Sequence, residues 1–171
     1  MRSLLLTVML AICSCSAEQS ASAQAREIVV PDHSLDVFGG RLLGVDRGEW
    51  GGKLLFQDAD GNLDTVLTEN VQGIVKNTSG IFVFTGLAHR SINDGYIYSI
   101  VRDPDGSIGT SRLGRLPGAP SRVSQLQPDG VTSFLVYSGI SNGRSLFECY
   151  QLTGKIVSRA HNCLPPRVAG P

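Results

Sequence analysis

Short apolar runs rich in β-branched and aromatic residues recur along this chain, and turn-forming residues separate them. Ile81-Phe82-Val83-Phe84-Thr85 and Tyr96-Ile97-Tyr98-Ser99-Ile100-Val101 are too short for helices and are bounded by Gly, Pro, Asn and Asp, so both read as strands. The same reading predicts strands at 41–45, 53–57, 63–68, 71–75, 109–116, 122–126, 131–137, 145–152 and 155–158. Residues 27–30, halted by Pro31, and residues 35–38 supply one edge strand. No stretch within this region carries a helical period, and the fold class is all-β.

The connections fall into two kinds. Asp58-Ala59-Asp60-Gly61-Asn62, Asp103-Pro104-Asp105-Gly106 and Thr153-Gly154 are tight turns with Gly where positive φ is needed. Residues 46–52, 86–95 and 138–144 read as longer loops. The turn glycines Gly61, Gly106 and Gly154 are spaced by 45 and 48 residues. A repeat of this length with four short strands per unit has the period of β-propeller blades.

Within each unit the second strand, such as Phe134-Leu135-Val136-Tyr137, is apolar on successive residues, so it must be covered on both faces. The fourth, such as Gly109-Thr110-Ser111-Arg112-Leu113-Gly114-Arg115, is polar, as an outer edge should be. Over residues 38–158 the chain therefore resembles β-propeller-type blade repeats, about three antiparallel meanders in one domain spanning 27–160. No Trp-Asp dipeptide marks the repeats, so the resemblance is one of architecture and implies no activity. Closed propellers use about four to eight blades, and the repeats present fall short of that. An open arc or sandwich-like stack and a ring completed by two copies both remain open.

Composition narrows the function. With 15 basic and 15 acidic side chains and a pI near 6.8, no excess charge is available for nucleic-acid phosphates. Arg2 followed by an apolar run over 4–12 is too short for a bilayer span and reads as an export signal. Cleavage after Ala21-Ser22-Ala23 would leave Gln24 at the mature terminus and make residues 1–23 the signal. Alternatively Ile12-Cys13-Ser14-Cys15 resembles a bacterial lipobox with Cys15 lipidated, the favoured route, which makes residues 1–14 the signal. Residues 16–26 then form a flexible tether and 161–171 a Pro-rich tail. The expected location is the periplasm or the outer membrane, with membrane contact only through the lipid, or secretion as a soluble protein. Cys149 and Cys163 are the remaining cysteines and are expected to pair in an oxidising compartment.

In an up-and-down sheet the longer connections emerge at one end together with the links between units. That rim gathers Asp46, Arg47, Glu49 and Trp50, then His89, Arg90, Asn93 and Asp94, then Asn142 and Arg144, with Glu69 and Asn70 from a link. Trp50 is either a stacking platform for a ligand with apolar faces or a plug at the end of the core. Asp46 and Glu49 could divide acid and base roles beside His89, although no nucleophile or metal motif accompanies them. Asp58, Asp60, Asn62, Asp64 and Glu69 fall in an EF-hand-like frame, but Leu63 occupies the position that requires Gly, so a plain hairpin is the better reading. The expectation is a non-catalytic binding or interaction module for a small polar ligand or an envelope protein, without metal or cofactor. An envelope hydrolase or lyase using Asp46, Glu49 and His89 is the alternative, and a self-associating assembly subunit the third.

Overall fold

The computed structural model describes residues 29–124, 130–161 and 163. The export signal, Cys15, the tether and most of the tail lie outside these residues.

Twelve strands form three antiparallel sheets, each built from four consecutive strands in simple meander order. Sheet 1 contains β1 (His33–Val37), β2 (Gly40–Val45), β3 (Lys53–Gln57) and β4 (Leu63–Leu67). Sheet 2 contains β5 (Val71–Asn77), β6 (Gly80–His89), β7 (Ile92–Arg102) and β8 (Ile108–Leu116). Sheet 3 contains β9 (Pro120–Ser124), β10 (Val131–Ser141), β11 (Arg144–Thr153) and β12 (Ile156–Arg159). A single 3-10 turn, Gly48–Trp50, interrupts the link from β2 to β3. The fold is all-β, with three blade-like sheets and no closed barrel.

The unbroken apolar run in β6 is explained by its place in the middle layer. Ile81 and Val83 pack with Leu42, Leu54, Phe56 and Tyr98 in a core between sheets 1 and 2. Phe82 and Phe84 pack with Phe134, Val136 and Leu152 in a second core between sheets 2 and 3. Successive side chains point to opposite faces, so a strand with a core on each side has no polar face to offer. The layers approach closely where side chains vanish: a Cβ on Gly44 would lie 2.5 Å from a methyl of Val71, and one on Gly73 would lie 2.6 Å from Val123.

Two expected loops are not loops. Residues 86–95 and 138–144 continue the flanking strands, and the chain reverses in the two-residue turns Arg90-Ser91 and Asn142-Gly143. Asn142 and Gly143 both have positive φ, 51° and 74°, the geometry of a type I′ hairpin that Asn-Gly favours. Bulges accompany the extension, one of them between Tyr137 and Gly139. The predicted strand at 122–126 begins two residues earlier, at Pro120, and the edge strand begins at His33.

Cys149 and Cys163 form a disulfide with their Cα atoms 5.4 Å apart, and Ala160 N–H donates to the Cys149 carbonyl at 2.8 Å. Cys149 pairs with Leu135 across the sheet, so the bond holds Cys163 against sheet 3.

Candidate functional site at the hairpin end

The strands β6, β7, β10 and β11 are 10 or 11 residues long, whereas β5 has 7 and β9 has 5. The surplus projects as two hairpins beyond the stack. Pairing of β5 with β6 ends at Val71 and Thr85, so Gly86 to His89 run on past it, about 13 Å of extended chain at 3.3 Å per residue.

Asn93 ties the two projections together. Its side-chain amide donates to the Tyr137 carbonyl at 3.0 Å and accepts from Ala119 N–H at 2.9 Å. Beside this tie opens a cleft of about 540 Å³. One wall carries Leu87, Ala88, His89 and Arg90; the other carries Tyr137, Ile140, Ser145 and Phe147; Pro120, Gln72 and Asp46 lie between them. Ile140 is 69% exposed and Phe147 47%, an unusual investment of apolar surface in water.

Asn70 organises the loop from sheet 1. It is buried, accepts from Arg47 N–H at 3.0 Å and donates to the Gly48 carbonyl at 2.7 Å. Asp46 is held at both oxygens: one accepts from Gly48 N–H at 2.9 Å and the other from Gln72 at 2.7 Å. Glu49 turns away from Asp46 towards His89, with Oε2 2.8 Å from Nε2. That imidazole nitrogen is buried and not aligned for a hydrogen bond, so the contact is one of charge when the ring is protonated.

The other rim residues separate by role. Arg47 folds back onto the Asp32 carboxylate at 3.2 Å and the Val30 and Asp46 carbonyls, which makes it an anchor for the incoming chain. Asp94 pairs with Arg115 across β7 and β8. Arg90 is a hairpin-tip residue with φ of 53°, a conformation that costs a non-glycine residue roughly 1–2 kcal/mol. Asn142 and Arg144 sit at the tip of the second hairpin and do not line the cleft. Trp50 is 85% exposed and is no plug of the core; it lies with Val30, Arg47 and Lys53 in a separate surface depression. Trp50 and His89 share one end of the molecule, joined through Glu49.

Sequence reasoning missed Gln72, Tyr137, Ile140, Ser145 and Phe147, all of which line the cleft. The signal was present: Ile140 follows Gly139 in what read as a polar loop, and an isoleucine there has no core to enter. Among the described residues no group of three or more His, Cys, Asp or Glu side chains forms a metal site. The Asp58 frame is closed by its own turn, since both Asp58 oxygens accept from Asn62 at 2.8 Å.

No protein-family model matches this chain, and no curated protein or solved structure matches it either.

Proposed function

We propose that the protein is a non-catalytic binding module of the cell envelope, exported and held at the membrane by lipid on Cys15, whose hairpin-end cleft receives a ligand with both apolar and polar faces. One observation carries this reading: exposed Ile140 and Phe147 face a wall bearing His89 and Arg90 across about 540 Å³, a size and mixture suited to a short peptide segment or a sugar. The occupied state of Asp46 supports binding over hydrolysis. We read the three sheets as blades of a propeller-like arc, with a second copy as the means of completing a ring.

Panning a random-peptide library and a glycan array on the mature protein tests the cleft. Retained ligands should lose about tenfold or more in affinity to the Ile140→Ser, Phe147→Ala double variant, because each buried apolar side chain is worth roughly 1.5–3 kcal/mol. They should keep their affinity when Trp50, which lies in the separate surface depression, becomes Ala. Ligands indifferent to the double variant would refute the assignment of this cleft. Mass spectrometry of the mature N-terminus tests the anchor: diacylglycerol on Cys15 supports it, and a terminus at Gln24 overturns it.

A further inference from the structure

A smaller hollow of about 260 Å³ lies where the β6–β7 hairpin faces the 3-10 turn and residues 68–70. Its walls are mostly apolar: Leu87, Ile92, the ring of Tyr96 and the backbone of several glycines. Three carboxylates reach it, and they differ in how their charge is met. Glu49 has His89, and Asp94 has Arg115.

Glu69 has neither. Tyr98 donates its hydroxyl to one Glu69 oxygen at 2.6 Å, and Thr85 donates to the other. Tyr98 and Thr85 are themselves buried, so the carboxylate is fixed in position. Hydroxyl donors are neutral; they orient an anion and leave its charge in place. Arg112 makes no ion-pair contact: it lies 4.6 Å over the Tyr96 ring and donates to the Tyr98 oxygen at 3.3 Å, so its charge reaches Glu69 only through space. Among the described residues Glu69 makes no ion pair.

A fixed negative charge between apolar walls is costly unless a cation joins it. A bare metal ion would need several ligands around one point, and among the described residues no three such side chains are grouped closely enough to hold one. A cation that brings its own apolar stem fits both the charge and the walls. We propose that this hollow binds a primary alkylammonium group, from a lysine side chain of a partner or from a free alkylamine, with Glu69 as its counter-ion. The ammonium takes the second lone pair of each Glu69 oxygen, and the methylene stem lies along Leu87 and Ile92. This proposal does not rest on the reading of the larger cleft, with which the hollow shares Gly48 and Leu87.

The test is an amide-resolved NMR titration of the mature protein with n-butylammonium and with Nα-acetyl-lysine N-methylamide. n-Butanol and the corresponding norleucine amide serve as neutral counterparts. Saturable shifts at Gly51, Gly86 and Ile92 are expected with the ammonium probes and not with the neutral ones. Saturation by butylammonium alone identifies a free-amine site, and saturation by the lysine amide as well identifies a side-chain receptor. Glu69→Gln, which keeps an oxygen for Tyr98 or Thr85, should weaken binding by about tenfold or more, since it removes the counter-charge of the ammonium. If that variant unfolds, the charged and neutral probes on the unaltered protein still decide. Equal shifts from n-butanol, no saturable shift, or shifts confined to Asp94 would overturn the proposal.

Discussion

Replacing Asn93 by Ala removes a side chain that ties the two projecting hairpins together. Two hydrogen bonds are lost, at 3.0 and 2.9 Å, and the Tyr137 carbonyl and Ala119 N–H are left partly shielded from water. An orphaned buried group costs roughly 1–3 kcal/mol; with partial solvent access at both, the sum should be about 2 kcal/mol. Against a total stability of roughly 5–15 kcal/mol this is easily read in a urea titration as a lower midpoint at unchanged slope. Amide exchange localises the effect. Ala119 N–H should lose protection well beyond the global change, whereas Val83 N–H, at the centre of sheet 2, should follow the global change alone. Asn93→Asp adds a check of sign. The second carboxylate oxygen would face the Tyr137 carbonyl, which favours the protonated form and raises the folded-state pKa above its unfolded value. Stability of this variant should then be fully present in acid and fall as pH rises through the folded value. A change below about 0.5 kcal/mol in Asn93→Ala, or protection at Ala119 that merely tracks Val83, would refute the tie.

Three further outcomes follow from the same coordinates. Phe84→Ala, at a fully buried ring 4.8 Å from Phe134, should cost roughly 3–5 kcal/mol in denaturant titrations, and a double-mutant cycle with Phe134 should show coupling of about 0.5–1.5 kcal/mol. Reducing the Cys149–Cys163 bond, which closes a sequence separation of 14, should lower stability by about 3 kcal/mol, measured with and without reductant. Burial holds the His33 imidazole below its ordinary pKa despite the opposing pull of Asp32 and Asp46. Its contribution is therefore present above the unfolded value near 6.5 and lost as pH falls through the folded one, so His33→Gln should flatten the pH dependence of stability over that range.

The layered fold was legible because β6 is apolar at every position from Ile81 to Phe84, and only a strand covered on both sides can be. Tight turns such as Asp58 to Asn62 were legible from glycine and side-chain caps. The hairpin extensions were not. Gly86, Gly95 and Gly139 read as loop formers, yet Gly86 and Gly95 are strand positions where a Cβ would strike Pro120 at 2.7 and 2.9 Å. Glycine there serves close approach between layers, and a single sequence does not distinguish that use from a turn. Glu49 and His89, gathered on one rim from the sequence, do meet in the structure, while Arg47 and Asn93 hold backbone in place. Whether a polar side chain meets a ligand or a carbonyl depends on which strand runs beside it, and that is a matter of register across 44 residues.

In most sheets a strand that slides by one residue is punished at once, because its oily side turns to water. The middle layer lacks that safeguard, since β6 is greasy on both sides. What polices its alignment is bulk: slender β-branched Ile81 and Val83 fill one seam, and the broad rings of Phe82 and Phe84 fill the other. A misaligned β6 would keep its solubility and lose its fit, wedging rings where Ile81 and Val83 now pack and leaving hollow the space that Phe82 and Phe84 fill.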